Sequence, residues 1–474
     1  MSAAPFWTLR RLHAALELGV ADDRPIRAIC TDTRAVQPGD CFLALVGATF
    51  DAHDFLAEAV AKGAAAVIVN DAQRASGLGV PALVVDNTLH ALGALARYKR
   101  RAWGGPIVAV GGSNGKTSTK ELIRGALSAR LSVHGTAGNL NNQIGVPLTL
   151  LAIPDGTDVA VIEVGTNEPG EIALLRAIAE PNFVVVTAIQ EEHLEGFGDL
   201  AGVLDEEASL CDGAATAIVP AAETDLLREA RARVIPTGRV ITVGIGEGDL
   251  AAGAHGLHAD GRGWMEVHGT RVEVPLRGAH NMRNALLAVA VAAECGLSPD
   301  DAARGIAGID VDRVPSMRSS VAPLGAALLV NDAYNANPGS ARAAIALLGD
   351  VAGGRPRVIV LGTMRELGAA AERSQRVVAC TQRHPEKICF RAGFFLDPPG
   401  TLPIIRPIRA PVRLSARRTV KPGAFAFGVR HEERLKRDGA GAVNRNGSQG
   451  LRMKRPSGLR MKRPSGALSD RRSS

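Results

Sequence analysis

The stretch Gly111-Gly112-Ser113-Asn114-Gly115-Lys116-Thr117 constrains this chain more than any other. It lies between an apolar run, "PIVAV" from Pro106, and a segment of helical pattern, "TSTKELIRGALSA" from Thr117. A strand that turns through glycines straight into a helix gathers several backbone N–H groups at the helix N-terminus, where a phosphate can be held. Glycine is needed because such a cradle uses backbone conformations that other residues avoid. The pattern predicts a phosphate loop: Lys116 reaches the β/γ phosphates of a nucleotide, Thr117 holds Mg2+, and Gly112, Ser113, Asn114, Gly115 and Ser118 complete the cradle. The spacing is one residue shorter than the common GxxxxGK[ST] form. A glycine-rich strand–helix turn with an incidental Lys-Thr is the alternative. The loop alone does not separate a kinase, a motor, a GTPase or a ligase.

Its surroundings are those of an α/β protein. Before the loop, "CFLAL" (41–45), "AAVIV" (65–69) and "ALVV" (82–85) read as strands, and "HDFLAEAVAKG" (53–63) as a helix closed by Gly63. After it, β-like runs stand at 159–165, 183–189, 215–220 and 240–246. A stretch of short strands (248–277) and an Ala-rich helix (278–297) follow. A third unit from about Arg313 shows a strand at 325–332, a helix at 339–351 and a strand at 357–362. Strands alternating with helices argue parallel sheets. The alternation stops after about Val378. Beyond it come scattered Arg and Pro and the octapeptide "LRMKRPSG" twice, at 451–458 and 459–466, which reads as a disordered tail.

That division explains the charge. The chain of 474 residues has a net charge of +7, but residues 381–474 hold 22 Lys+Arg against 6 Asp+Glu. The preceding 380 hold 33 against 42 and are acidic. The basic balance belongs to the tail, so it does not argue a nucleic-acid-binding body, and the tail's few aromatics are grouped rather than interleaved. No apolar run approaches the roughly 18–20 residues of a membrane span. The N-terminal stretch with Trp7, Arg10, Arg11 and His13 lacks the apolar core of a secretory signal. Six cysteines (30, 41, 211, 295, 380, 389) without CxxC spacing read as free thiols in a reducing compartment, so the expected location is the cytoplasm.

Six segments in order carry a resemblance: "GGSNGKTSTKE" (111–121), "GNLNNQIGVPLTLL" (138–151), "EVGTNEPGEI" (163–172), "HLEGFG" (193–198), "HNMRNAL" (280–286) and "NDAYNANPGS" (331–340). Over roughly residues 8 to 378 the chain resembles the Mur ligases, the ATP-dependent amide-forming enzymes of bacterial cell-wall synthesis. "TDTRAVQPGDCFLALVGATFDAHDF" (31–55) resembles their uridine-nucleotide-binding domain. The resemblance implies an α/β, three-domain architecture: a small N-terminal domain for the UDP precursor (1–103), a central ATP-binding domain with a parallel sheet (104–312) and an incomplete Rossmann-like C-terminal domain (313–380). Residues 381–474 are the non-family tail.

Within the family, "GNLNNQIGVP" and "NDAYNANP" favour the reaction that joins D-alanyl-D-alanine to UDP-N-acetylmuramoyl-tripeptide, with ATP and Mg2+ and no specific nucleic-acid partner. A monomer is expected. The implied chemistry is attack of a substrate carboxylate on the ATP γ-phosphate, then attack of the dipeptide amine on the acyl phosphate. Bringing anions together requires cations. By resemblance, Lys116 meets the phosphates, and Glu163 and His193 are metal ligands beside Thr117. A solvated strand-end carboxylate and a helix-start polar residue are the alternatives for those two. Asn139 and Asn142 match contacts to phosphates and substrate, or else form a turn. Thr166 and Asn167 match positions near the nucleotide-sugar, and Asn281 and Asn284 match adenine contacts. Arg318 and Asp332 match residues that the third domain brings to ATP. Tyr334, Asn335 and Asn337 match that domain's part in substrate binding. Thr33 and Arg34 match contacts to the uridine diphosphate, or else a surface turn.

Three departures stand out. Many family members place a carbamoylated lysine where Glu207 stands, or Glu206 if the register slips by one; a glutamate already carries the carboxylate that carbamoylation creates. Thr363 stands where the family usually has Asp. The third domain lacks its later strand–helix units. A reading-frame shift near codon 378 is one source of such a sequence and a genuine appended tail is the other. The expected consequence is that UDP-precursor binding survives best, ATP binding weakens and ligation is severely impaired.

Overall fold

The computed structural model describes residues 5–47, 49–311, 318–362, 364, 366–371, 373, 374 and 388–392, all within one compact unit, Met1–Phe394. Thr363, the break near residue 378 and the octapeptide repeat lie outside the described residues.

Four short strands, β1 (Ile29–Cys30), β2 (Cys41–Leu43), β3 (Ala66–Val69) and β4 (Ala82–Val84), pair in parallel in that order. The expected strands at 41–45, 65–69 and 82–85 are therefore present. The helix expected over 53–63 is split: the Asp51 carboxylate accepts from His53 N at 2.9 Å and turns Ala52–Phe55 into a 3-10 turn, before Leu56–Ala61 continues as α-helix. The long helix α1 (Thr88–Trp103) starts where Asn87 Oδ1 accepts from Leu89 N and His90 N, and ends at Gly104 in the left-handed region. Its buried Leu92, Leu95 and Ala96 recur at helical spacing.

Ten further strands, three of them in a separate small sheet, build the central region with their helices. They are β5 (Ile107–Gly111), α2 (Lys116–Ser128), β6 (Val133–Gly135), α3 (Gly145–Leu151), β7 (Val159–Glu163), α4 (Glu171–Ala179), β8 (Phe183–Val186), α5 (Leu200–Ala208), β9 (Thr216–Pro220), β10 (Arg239–Ile245), β11 (Leu250–Ala252), and β12 to β14 (His255–Leu257, Arg262–Val267, Thr270–Arg277) with their helices. The seven strands β5 to β11 form one parallel sheet in the order β11-β10-β9-β8-β5-β7-β6. Ile107, Val108, Ala109 and Val110 are fully buried, as a central parallel strand covered on both faces requires. Each such Val or Ile stabilises the fold by roughly 1.5–3 kcal/mol. The chain leaves β5 towards β7 on one side and returns to β8 on the other, so the crevice at the carboxyl ends of β5, β7 and β8 is a topological switch point, where α/β sheets bind ligands. Helix α6 (Ala279–Glu294), buried from Ala285 to Ala292, and α7 (Pro299–Ala307) pack in the core with α2. The short strands expected in 248–277 are present: β11 joins the parallel sheet, and β12 to β14 form a separate antiparallel sheet.

The third unit opens with the antiparallel hairpin β15 (Ser320–Leu324) and β16 (Ala327–Asn331), followed by α8 (Pro338–Ala352) and β17 (Arg357–Leu361). Leu194, Phe197, Met364, Leu367, Ile345 and Ile359 share a small core that joins it to the central region. β18 (Ile388–Ala392) pairs in parallel with β17. This strand is the described part of the stretch beyond Val378, and its "ICF" run is β-favouring. Among the described residues no helix is long and apolar enough to cross a membrane.

Candidate active site

The loop after β5 is tightly held. Gly112 has φ of +109° and Gly115 of +89°. A Cβ on Gly112 would come within 2.7 Å of Thr187 N, so the approach of the loop to the end of β8 admits only glycine. Thr187 Oγ1 donates to Asn114 O (2.6 Å) and Gly111 O (3.1 Å), and Ser113 N donates to Ala188 O (2.8 Å). Ser113 Oγ and Gln190 N are 2.9 Å apart. Ser118 sits half-buried in the first turn of α2. Asn284, on α6, faces Gly115, and its amide donates to Asn281 Oδ1 (2.9 Å), while Asn281 Nδ2 donates to Arg277 O (2.7 Å). Asn284 thus lies against the loop, with Asn281 beside it on the same buried helix face.

Lys116 is ringed by acids. Its Nζ donates to Gly112 O at 2.6 Å and lies 3.8 Å from Glu192 and 3.9 Å from Glu207. Burial alone would lower its pKa, but Glu192, Glu207 and Glu163 outweigh that and hold it above the ordinary lysine value. Glu207 is buried and accepts from Gly112 N at 2.6 Å. Burial pushes its pKa up against the opposing pull of Lys116. Its neighbour Glu206 turns the other way and accepts from Ile172 N, Gly170 N and Thr166 Oγ1 at 2.9, 2.7 and 3.1 Å. Glu207 therefore faces the loop, and Glu206 holds the start of α4. Glu192 has a pKa raised by burial, opposed by Lys116.

Glu163, at the end of β7, accepts from Thr117 Oγ1 (3.1 Å) and Asn141 Nδ2 (3.0 Å). Lys120 Nζ lies 3.5 Å from its other oxygen and donates to Thr136 O (2.9 Å) and Gly138 O (3.2 Å). Lys120 is wholly buried. His193 has φ of +47°, and its Nδ1 lies 2.6 Å from Glu366 Oε2 of the third unit. Burial lowers the His193 pKa, and Glu366 pulls it back. Among the described residues no three His, Cys, Asp or Glu side chains form a ready-made metal cage. The donor set suits Mg2+ nonetheless, since that ion is held by one or two carboxylates together with substrate phosphates and water. Glu163 Oε2 and Glu207 Oε1 are buried oxygens that accept no hydrogen bond among the described residues.

The third unit reaches the same loop. Asn114 Nδ2 donates to Asn337 Oδ1 (2.9 Å) and Asn337 Nδ2 to Asn114 Oδ1 (3.0 Å). Asn337 also caps α8 through Ser340 N (2.8 Å). The Arg318 guanidinium stacks over the Tyr334 ring at 4.2 Å, and its buried Nε donates no hydrogen bond among the described residues. Asp332 accepts from Ser319 N (2.6 Å), and burial raises its pKa. Asn335 Oδ1 accepts from the adjacent Ala336 N (2.9 Å).

Asn139 is exposed, and exposed Asn142 accepts from Gly145 N, the first residue of α3, at 2.9 Å; Asn141 donates to Glu163. Thr166 is buried against Glu206, and Asn167 is exposed with its N–H on Glu171 (2.7 Å). Thr33 and Arg34 form a 3-10 turn capped by Asp32, with Arg34 pairing to Asp32 at 2.7 Å. That pair holds the Asp32 carboxyl at about 2. Thr187, Gln190, Glu192, Lys120 and Asn141 were not singled out from the sequence. The signal available for them was position: each lies inside or next to one of the six quoted segments or directly after a strand end.

Residues 110–292 match the model of the Mur ligase middle domain, and residues 25–100 that of the Mur ligase family, catalytic domain. The UDP-N-acetylmuramoyl-tripeptide–D-alanyl-D-alanine ligase of Bacillus subtilis is 35% identical over 353 residues, 73% of this chain and 75% of that one. Its Escherichia coli counterpart is 38% identical over 358 residues, 74% and 77% of the two chains. A crystal structure of MurF from Acinetobacter baumannii superposes with a TM-score of 0.71 at 31% identity, covering 78% of this chain and 82% of that one. The MurF ligase of Thermotoga maritima in complex with ADP gives 0.64 at 26% identity, over 74% and 81%. With the phosphate loop, the acidic ring around Lys116 and this likeness along most of the chain, the protein belongs to the Mur ligase family.

Proposed function

We propose that this chain joins D-alanyl-D-alanine to UDP-N-acetylmuramoyl-tripeptide at the expense of ATP, in peptidoglycan precursor synthesis. The observation that carries the reading is the convergence of loop amides, Lys116 and the carboxylates Glu163, Glu192 and Glu207 at the ends of β5, β7 and β8. In the reaction, an oxygen of the tripeptide carboxylate attacks the γ-phosphorus, the bond to the bridging oxygen breaks and ADP leaves. The dipeptide amine then attacks the acyl carbon, phosphate leaves, and the nitrogen gives up a proton as the amide forms. Lys116 and the loop N–H groups bind and orient the phosphates. Thr117, Glu163 and His193 would hold Mg2+, which neutralises phosphate charge when bound. Glu207 supplies a fixed negative charge beside them.

Residues 1–103 take the UDP end of the precursor through Thr33 and Arg34, 104–312 take ATP, with Asn281 and Asn284 beside its base, and 313–380 close over it with Arg318 and Asp332. Asn139, Asn142, Thr166, Asn167, Tyr334, Asn335 and Asn337 border the path of the precursor. We place the reaction in the cytoplasm and expect a monomer. The altered C-terminal stretch lowers the rate of ligation more than it lowers precursor binding: Val358 and Val360 on β17 are 66% and 74% exposed, a face that a complete domain would cover. Isothermal titration with the UDP precursor and with ATP tests this division. Precursor binding weaker than nucleotide binding would contradict it.

A further inference from the structure

His193 and Glu366 are both non-glycine residues in the left-handed region, with φ of +47° and +63°. Such a conformation costs energy, and here two residues 173 positions apart in sequence adopt it to point side chains at each other, 2.6 Å between Nδ1 and Oε2. Stability does not explain the pair. The Glu366 side chain is more than half exposed, and exposed ion pairs contribute little. The backbone between them is also fixed: Glu195 N donates to Glu366 O at 3.2 Å, while Met364 and Leu367 on either side are buried with Leu194 and Phe197. Glu366 is thus delivered to the imidazole by a packed segment of the third unit rather than by a loose tail.

A carboxylate oxygen only accepts, so the ring nitrogen facing it is the donor. We infer that Glu366 is a positioning residue which fixes His193 as the Nδ1–H tautomer, leaving Nε2 as the nitrogen that presents its lone pair to the phosphate-transfer site. The inference rests on the reading of His193 as part of that site. It adds a residue from the third unit, so docking of that unit prepares a ligand of the central region. Carboxylates that accept the second N–H of a ligating histidine typically strengthen metal binding by about 10–100-fold.

The test uses the full chain. Long-range 1H–15N spectra of 15N-histidine-labelled protein report the tautomer of His193, assigned with His193→Ala. Mn2+ binding in the presence of a non-hydrolysable ATP analogue is read by electron paramagnetic resonance. The wild type is expected to show protonated Nδ1. Glu366→Ala is expected to lose that preference and to bind Mn2+ about 10-fold or more weakly. Glu366→Gln keeps an acceptor oxygen of the same reach, so it retains the tautomer and loses less. Equal losses in Gln and Ala with an unchanged tautomer would assign the effect to packing and overturn the inference, as would no change in either variant. If His193→Ala itself binds Mn2+ like the wild type, the role proposed for His193 fails instead, and the tautomer result separates the two failures.

Discussion

Asn114 in the phosphate loop and Asn337 at the head of α8 exchange amide hydrogen bonds in both directions, at 2.9 and 3.0 Å. One side chain belongs to the glycine loop after β5 and the other is the cap of a helix in the third unit. A nucleotide that orders the loop therefore bears on the third unit without a hinge being invoked.

The pair predicts measurable coupling. Replacing Asn337 by Ala removes a helix cap as well, which costs about 1 kcal/mol by itself. The double-mutant cycle with Asn114→Ala is expected to show an interaction energy of about 0.5–3 kcal/mol in urea unfolding of the third unit. Strict additivity would mean that the two amides are neighbours only.

Lys120 is a wholly buried cation of the site, with Glu121 at 3.2 Å and the buried Glu163 at 3.5 Å. Removing one member of a buried pair leaves the other uncompensated, at a cost of roughly 3–5 kcal/mol. Lys120→Met is expected to lower the unfolding midpoint of the central region accordingly, and Lys120→Met/Glu163→Gln to recover part of that loss. A double variant less stable than the single one would contradict the pairing.

Glu206 and Glu207 are adjacent in sequence and opposite in consequence. Glu206→Gln weakens the charge-assisted bonds to Ile172 N and Gly170 N and is expected to cost about 1.5–3 kcal/mol of stability, with nucleotide affinity retained. Glu207→Gln keeps an oxygen for Gly112 N but loses the charge beside Lys116, so kcat/KM is expected to fall on the order of 10²-fold. Thermal unfolding and steady-state kinetics on the same two variants check both halves.

Burial holds His134 below its ordinary pKa of 6.5, although its Nε2 contact to Thr149 O (2.9 Å) opposes this. The unfolded chain then binds the proton more readily than the folded one. The stability contribution is present above pH 6.5 and is lost as pH falls through the folded value below it. Unfolding midpoints measured from pH 7.5 to 5 are expected to decline less in His134→Gln than in the wild type.

Much of this was legible in the sequence. Period, glycine spacing and strand-to-helix order located the phosphate loop, β5 and α2, because those constraints act on neighbouring residues. Glu163 and His193 came through motif resemblance. The contact of Asn141 with Glu163 did not, since three asparagines within four positions differ only in which way the loop turns them. Glu366 and Lys120 were also invisible: one meets its partner across 173 positions, and the other sits in an amphipathic helix where a lysine reads as solvated. β18 was hidden by the basic composition around it.

The central claim is tested most directly by phosphate release from the purified chain with Mg-ATP and UDP-N-acetylmuramoyl-tripeptide, with and without D-alanyl-D-alanine. The account predicts release that requires both acceptor substrates, slow because of the altered C-terminal stretch, with a product whose mass is that of the tripeptide precursor joined to the dipeptide. Release indifferent to D-alanyl-D-alanine, or none from a folded sample that binds the precursor and ATP, would contradict it.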